Sequence, residues 1–380
     1  MKKVDFNGLE ISSLGLGTMR FPCIDGDSAR PDEAAVGRMI DFAIENGINY
    51  FDTAWMYHSG KSEEICGRAL RRHSREKFLL ADKFPGQLSE AVANVEKTFE
   101  TQLKRTQLEF FDFYLLHNVC ENNIDFYLDD KKYGIVSYIL KQKAAGNIRH
   151  LGFSCHCSVT TLKKFLERYA DIMEFGQIQL NYLDWHLQQG EEKVALLRQY
   201  GLPVWVMEPL RGGALANPAA EYKTEMQTIS PGSVPHELAF RFLQSIPEVK
   251  VVLSGMSNME QLQDNIRILS KPELLTPQQF ENMIMLGDKM TANMGVPCTA
   301  CRYCTDKCPQ KLDIPFLLSQ YNEHKVSRGS WIAKMMINKL DEAKRPAACI
   351  ACRNCEKICP QQIKISEALK EFSADLTAVS

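Results

Sequence analysis

No apolar run in this sequence reaches the about 18 residues that a membrane-spanning helix needs. The opening Met1-Lys2-Lys3-Val4-Asp5-Phe6-Asn7-Gly8 is charged and has no apolar stretch behind it, so neither export nor anchoring is expected and the protein is read as cytoplasmic. An excess of either charge is also missing, since 45 Lys+Arg stand against 47 Asp+Glu. No overall field would draw such a chain to nucleic acid or to an anionic membrane, which leaves a small molecule as the expected partner. The low hydrophobicity of disordered chains is absent too: 45% of residues are hydrophobic and 24% charged. Finally, the first candidate strand and turn, Leu14-Gly15-Leu16-Gly17-Thr18, lacks the G-x-G-x-x-G spacing of an open-sheet dinucleotide fold.

What is present is a chain of 380 residues, beyond the roughly 250 to 300 that one core usually serves, so two domains are expected. From Ile11 to Asn265, short β-rich runs end at Gly17, Phe51, Ala81, Leu116, Phe153, Leu180, Val206 and Leu253. They alternate with segments of helical period such as Asp32 to Asn46, Ser89 to Lys104 and Val159 to Tyr169. Repeated βα units imply a parallel sheet. Eight of them predict an α/β fold of the (β/α)8 TIM-barrel type over residues 1–280, in preference to a doubly wound open sheet. A polar helical connector runs from Ile266 to Pro297, in which Thr276 caps and Pro277 opens a helix. Residues 281–380 are expected to hold the end of that connector and a small second domain, helical around Pro315 to Lys344.

Of the 13 cysteines, eight crowd into two runs. Cys298, Cys301, Cys304 and Cys308 are followed by Pro309, and Cys349, Cys352, Cys355 and Cys359 repeat the CxxCxxCxxxCP spacing with Pro360. Three thiolates on one tight loop grip three corners of an iron-sulfur cube and the fourth ligand comes from elsewhere; in bacterial two-cluster ferredoxins this run sends its fourth Cys to the other cluster. Crossing gives one [4Fe-4S] site from Cys298, Cys301, Cys304 and Cys359 and another from Cys349, Cys352, Cys355 and Cys308. The alternatives are zinc, which prefers paired CxxC knuckles, and disulfides, which a reducing compartment disfavours. The stretch between Cys308 and Cys349 is longer than a minimal ferredoxin permits, so the domain resembles the α-helical ferredoxin type. Cys23, Cys66, Cys120, Cys155 and Cys157 show no such spacing and are read as packing residues. Cys155-His156-Cys157 imitates a metal motif, but consecutive ligands at a strand end chelate poorly.

TIM barrels carry their active sites at the C-terminal ends of the strands. There the sequence places Asp52-Thr53-Ala54-Trp55-Met56-Tyr57, then Asp82-Lys83, then Leu115-Leu116-His117-Asn118. In these motifs residues 1 to 270 resemble the aldo/keto reductase family, whose DTAxxY motif is matched by Asp52 to Tyr57, whose lysine by Lys83 and whose histidine by His117. The resemblance implies a nicotinamide cofactor, NADP or NAD, that delivers hydride. The chemistry agrees. A phenol of ordinary pKa near about 10 becomes a useful proton donor to a carbonyl when an ammonium stabilises its phenolate. Lys83 would supply that charge to Tyr57, Asp52 would hold Lys83 charged, and His117 would position the carbonyl oxygen or assist its proton transfer. One such residue alone is ordinarily a buried ion pair or a core histidine; four at the right strand ends argue for catalysis.

The same resemblance implies cofactor contacts. Gly17 and Thr18 match the family's GxGT turn, Ser154 and Gln177 the residues that hold the carboxamide, and Met207 stands where a tyrosine usually stacks. Gly255, Ser257, Gln261 and Asn265 fall in the segment for the phosphate and adenine. Met207 is a departure, as is Cys155 where the family has Asn. Gly255 and Gln261 replace basic residues for the 2′-phosphate, which removes charge-assisted contacts that favour NADP, although family habit favours it. Met19, Trp55, Asn118, Trp185 and Arg211 are candidates for the substrate rim, and Glu121 to Asp130 for a lid.

Hydride moves two electrons whereas each cluster accepts one, and a flavin that would split the pair has no fingerprint here. Three readings follow: a carbonyl/alcohol oxidoreductase with structural or regulatory clusters, an oxidoreductase exchanging electrons with ferredoxin or a flavoprotein, and a noncatalytic redox sensor.

Overall fold

The computed structural model describes residues 1–121, 123–292, 295–296, 298, 304–326, 331–359 and 363–378. Cys301 and Pro360, named above, lie outside the described residues. The chain forms two compact units, one of Met1–Pro209 with His236–Phe280 and the other of Leu210–Pro235 with Glu281–Ser380.

The first unit begins with an antiparallel hairpin, β1 (Lys3–Phe6) and β2 (Leu9–Ser12). Eight parallel strands follow: β3 (Leu14–Gly17), β4 (Tyr50–Asp52), β5 (Leu79–Phe84), β6 (Phe111–Val119), β7 (Ile148–Cys155), β8 (Phe175–Gln179), β9 (Val204–Met207) and β10 (Val249–Ser254). They close into a barrel by pairing β10 with β3. Strands covered on both faces do not need polar alternation, and in β6 the run Phe-Asp-Phe-Tyr-Leu-Leu is buried throughout. Its one acid, Asp112, is held by Arg75 at 2.5 Å and Arg149 at 2.9 Å. Side chains of one parity fill the barrel, where Tyr50, Leu79, Ala81, Phe113, Leu115, Phe175, Trp205, Val251 and Leu253 form one cluster. Phe6 and Ile11 of the hairpin join it, with the Phe6 ring 5.0 Å from Trp205, so the hairpin plugs the barrel end opposite the C-terminal rim.

Helix starts follow their caps. Asp32 accepts from the Ala35 N–H at 3.0 Å ahead of Glu33–Glu45, Ser158 from Thr161 at 3.3 Å ahead of Val159–Tyr169, and Thr276 from Gln279 at 3.2 Å around Pro277–Ala292. Three expectations need correction. Most strands run past the ends read from the sequence, because ladder pairing continues beyond the last apolar residue; Asp52, Asp82 and Lys83 thus lie within β4 and β5 rather than after them. The single helix expected over Ser89 to Lys104 is two, Ser89–Ala93 and Val95–Thr106. Asn94 breaks it at φ −138° and donates its own amide to the Glu90 carbonyl at 3.0 Å, competing with the backbone. The connector expected from Ile266 begins inside the barrel helix Met259–Ser270.

The second unit contains the helices Ala220–Ile229, Ile314–Val326, Trp331–Asn338 and Ile365–Ala378. Its core includes Leu312, Ile314, Leu317, Leu318, Tyr321, Ile337, Ile365, Leu369 and Phe372, together with Cys304 and Cys355. Among the described residues no helix is long and apolar enough to cross a membrane.

Candidate active site and cysteine clusters

The parity that fills the barrel also aims the rim residues. Asp52 lies two residues beyond Tyr50 in β4, Lys83 two beyond Ala81 in β5, and His117 two beyond Leu115 in β6, so all three extend inward-facing rows. Register between β6 and β7 shifts between Leu116 and Val119, on either side of His117, with Asn118 at φ 53°. Tyr57 opens the 3-10 turn Tyr57–Gly60 that follows β4. Lys83 is fully buried, and its Nζ donates to Asp52 Oδ1 at 2.5 Å, to the Thr53 carbonyl at 2.7 Å and to the Tyr57 hydroxyl at 3.4 Å. The His117 ring meets Tyr57 edge-on with centroids 6.3 Å apart. Within the segment read as a lid, the helix Ile124–Leu128 brings the Tyr127 hydroxyl to the His117 carbonyl at 2.9 Å. Asn122 of that segment lies outside the described residues.

Burial raises the Asp52 carboxyl above its ordinary value, opposed by the Lys83 ammonium. Burial acts to lower Lys83, but Asp52, Tyr57 and Asp82 outweigh it and hold the ammonium above its ordinary value. The Tyr57 phenol is raised, because burial exceeds the downward pull of Lys83. Lys83 therefore limits the rise that burial imposes and does not by itself make Tyr57 more acidic than a free phenol.

Ser154 and Gln177 face each other across the β7–β8 ladder. Ser154 Oγ accepts from the Asn118 N–H at 2.9 Å, and the Gln177 amide nitrogen lies 3.9 Å from Met207 Sδ. The buried Gln177 Oε1 has no hydrogen-bond partner among the described residues, and such an acceptor at the barrel mouth suits the N–H of a carboxamide. Gly17 ends β3, and the Thr18 hydroxyl is spent on Ser62 at 2.7 Å. After β10, Asn258 caps its helix through the Gln261 N–H at 2.9 Å, Gln261 accepts from the Ser257 N–H at 2.8 Å, and Asn265 donates to Ser254 at 3.1 Å. A Cβ at Gly255 would meet Arg20 at 3.1 Å. Arg20 in turn reaches Glu208 at 3.5 Å. The cation beside Gly255 thus comes from the turn after β3, a source that sequence reasoning did not name.

Among the rim candidates, Met19, Trp55 and Asn118 are partly exposed, Trp55 beneath the Arg105 guanidinium at 3.9 Å. Trp185 and Arg211 are buried. Trp185 is buried between Phe242 and Phe280 at 5.5 and 5.7 Å, and Arg211 is buried in the second unit against Glu323 at 2.5 Å. Their partners lie far along the chain, where no local signal reaches.

A network behind Lys83 was also missed. Glu63 and Asp82 are fully buried. Glu63 also accepts from Gln102 at 3.1 Å and Arg105 at 2.8 Å. Gln102 donates to the Lys83 carbonyl at 2.9 Å, and Asp82 accepts the Lys83 N–H at 2.8 Å. Burial, then the adjacent Glu63, pushes the Asp82 carboxyl well above its ordinary value. In sequence Glu63 is merely an acid in a helix's first turn.

The two cysteine runs fold alike. Cys304 (φ −70°, ψ −26°) and Cys355 (φ −67°, ψ −32°) each lead into a 3-10 turn that ends at Cys308 (φ −84°, ψ 115°) and Cys359 (φ −70°, ψ 115°). Cys308, Cys349, Cys352 and Cys355 line one cavity. Cys298, Cys304, Cys308, Cys349, Cys355 and Cys359 all pack into or against the core of the second unit, and no disulfide joins any of the described cysteines. Among the described residues no three His, Cys, Asp or Glu side chains converge on a single ion position, the Cys155-His156-Cys157 segment included. A cubane distributes its thiolates over four irons and so holds them further apart than one ion does.

Residues 13–284 match the aldo/keto reductase family model, and residues 297–364 match that of the 4Fe-4S dicluster domain. The uncharacterized oxidoreductase YqkF of Bacillus subtilis is 26% identical over 297 residues, spanning 70% of this chain and 90% of that protein. L-galactose dehydrogenase of Arabidopsis thaliana is 25% identical over 299 residues, spanning 72% and 88%. The solved holo form of the aldo-keto reductase AKR11C1 from Bacillus halodurans is 25% identical with a TM-score of 0.61, covering 75% of this chain and 96% of that one. With the match extending through the whole closed barrel, the chain belongs to the aldo/keto reductase family of oxidoreductases, and a 4Fe-4S domain follows its barrel.

Proposed function

We propose that this protein interconverts a carbonyl compound and its alcohol with a nicotinamide cofactor, NADP or NAD, using Tyr57 as general acid and base, and that it carries two [4Fe-4S] clusters. The observation that carries this reading is the series Asp52, Lys83, Tyr57: a buried ammonium fixed by a carboxylate at 2.5 Å stands 3.4 Å from a phenol hydroxyl. When bound, the reduced nicotinamide supplies hydride to the carbonyl carbon. Ser154 and Gln177 would hold its carboxamide, Met207 its ring, and Gly17, Thr18, Gly255, Ser257, Gln261 and Asn265 its remainder. Tyr57 donates its proton to the carbonyl oxygen as negative charge develops there, and Lys83 stabilises the phenolate left behind. Asp52 keeps Lys83 charged and in place. His117, edge-on to Tyr57, directs the carbonyl oxygen toward the phenol. In the oxidative direction the Tyr57 phenolate takes the alcohol proton.

The crossed ligand sets are Cys298, Cys301, Cys304 and Cys359, and Cys349, Cys352, Cys355 and Cys308; the cavity shared by the second four supports that second set. The clusters are read as structural or regulatory. Electron exchange with ferredoxin or a flavoprotein is the second reading, favoured by 13 Lys+Arg against 9 Asp+Glu over residues 298–380, a balance that suits an acidic carrier.

The test adds NADPH, then NADH, to anaerobically reconstituted protein with and without aldehydes and ketones, following nicotinamide absorbance, cluster absorbance and EPR. Carbonyl-dependent nicotinamide oxidation is expected, falling by at least about 10²-fold in Tyr57→Phe, with the clusters unchanged. Cluster reduction by nicotinamide would favour the second reading. No nicotinamide binding, or turnover indifferent to Tyr57→Phe, overturns the first. Iron analysis well short of about eight atoms per chain rejects two clusters.

A further inference from the structure

His58 follows Tyr57 directly, and both of its ring nitrogens face carbonyl oxygens: Nδ1 lies 2.9 Å from that of Ser28 and Nε2 2.9 Å from that of Thr18. A carbonyl oxygen only accepts. Neutral imidazole has one N–H and one lone pair, so one contact would press a lone pair against an oxygen at hydrogen-bond distance; the imidazolium alone donates to both. The ring is buried at 6% exposure and stacks on Phe21 with planes 16° apart and centroids at 5.9 Å. The other neighbour of Nδ1 is Cys23 Sγ at 3.7 Å, a thiol that also donates to the Phe21 carbonyl at 3.1 Å.

The backbone there is equally unusual. His58 (φ 52°, ψ 46°) and Ser59 (φ 56°, ψ 34°) are consecutive non-glycine residues in the left-handed region. L-residues avoid that region, and a run of two persists only where the surroundings over-determine it. The two imidazole bonds do so, helped by Lys61 Nζ on the Ala29 carbonyl at 2.8 Å. They join three segments: the Tyr57 turn, the Gly17–Thr18 turn, and the loop from Cys23 to Pro31, whose ends bridge each other.

We propose that His58 is held as an imidazolium and is a positioning residue, fastening the turn that carries Tyr57 to the Thr18 turn and to the Cys23–Pro31 loop, so that nicotinamide binding requires a proton on His58 distinct from the one Tyr57 transfers. The proposal rests on the nicotinamide reading of the barrel rim. The charged or titratable groups of the packed segments are Arg20 beside the Thr18 turn, Cys23, Asp25, Asp27 and Arg30 in the loop, and Tyr57 and Lys61 in its own turn. Arg30 pairs with Asp25 at 3.4 Å, and Asp27 Oδ1 accepts the Ala29 N–H at 2.9 Å. Among the described residues no carboxylate bonds the ring, whose charge rests on two carbonyl dipoles. Because the binding-competent form holds the proton, affinity is present at low pH and lost as the proton leaves on raising pH.

Selective ¹⁵N-histidine labelling of the intact anaerobic protein reads this directly. Both His58 nitrogens are expected protonated at neutral pH, and the nicotinamide dissociation constant should rise as that doubly protonated signal is lost on raising pH. His58→Gln donates on one side only and should weaken NADH and NADPH binding about tenfold and flatten the pH dependence. Comparing variant with wild type cancels the titration of the 2′-phosphate. A neutral tautomer at neutral pH in the wild type, or unchanged affinity in a folded His58→Gln, overturns the proposal while leaving the nicotinamide reading intact. If His58→Gln does not fold, the wild-type signal and its pH-linked affinity still decide. A wild type that binds neither nicotinamide overturns the underlying reading, and the proposal with it, whatever the His58 signal shows.

Discussion

Lys83 Nζ, fully buried with Asp52, Thr53 and Tyr57 as its acceptors, makes the rim sensitive to the removal of either charge. Lys83→Met strands the Asp52 carboxylate in the barrel, and breaking a buried pair from one side costs about 3–5 kcal/mol. Asp52→Asn with Lys83→Met leaves no charge uncompensated and should recover much of that stability while remaining inactive. Denaturant unfolding of the single and double variants checks this; a double variant no more stable than Lys83→Met contradicts it. The phenol responds to pH with a definite sign. Burial keeps Tyr57 protonated above the ordinary phenol range, so carbonyl reduction should show no falling limb from Tyr57 below about pH 10, whereas alcohol oxidation, which needs the phenolate, should climb toward that pH. Profiles of kcat/KM in both directions measure it, and a fall in reduction near neutrality that tracks Tyr57 ionisation would contradict the dominance of burial. Asp52, Lys83 and His117 could be placed together from sequence because each falls at the end of a candidate strand and in a motif that a known family shares, and both signals are local. Arg20 and Glu208 pair across 188 residues, and nothing in either neighbourhood announces the other.

At the scale of elements, the helix Ser62–Leu70 approaches Val95–Thr106 until a Cβ on Gly67 would stand 2.2 Å from the Thr106 carbonyl oxygen. That atom is backbone and cannot rotate away. Gly67→Ala should therefore push the helices apart at a cost of about 1–3 kcal/mol, or several degrees in Tm at roughly 2–4 °C per kcal/mol. The same helices carry Glu63, Gln102 and Arg105, so the variant should also loosen the Lys83 backbone and reduce activity. Gly17→Ala is the contrast in stability: its Cβ would meet nothing nearer than the Ser254 carbonyl at 3.6 Å, and its φ of −78° suits any residue. Thermal unfolding should separate the two, and equal losses would refute the close-approach argument. The barrel was legible because βα alternation repeats over most of the chain. The β1–β2 plug was not: Phe6 and Ile11 find partners only after the barrel has closed around Trp205. Asn94 shows the other limit, where one side chain competing for a carbonyl outweighs a long helical period.

For the whole molecule, length and composition foretold a second domain, but not that Leu210–Pro235 would join it, since that stretch reads like any βα loop. The second unit draws Cys304 and Cys355 into its apolar core at 6% and 7% exposure, so the proposed cluster ligands are also packing residues. Thiolate binding free energy is then folding free energy. Anaerobic iron removal should melt Ile314–Val326, Trp331–Asn338 and Ile365–Ala378 while the barrel, closed on its own core, resists proteolysis. The ligand crossing makes a sharper demand. Cys308 lies in the first run by sequence but shares a cavity with Cys349, Cys352 and Cys355 of the second. Cys308→Ser and Cys349→Ser should therefore damage the same cluster and leave the same residual EPR signal, while Cys359→Ser should match Cys298→Ser. Uncrossed ligation pairs the variants the other way, Cys308→Ser with Cys298→Ser, and the four spectra decide between the two arrangements without reference to turnover.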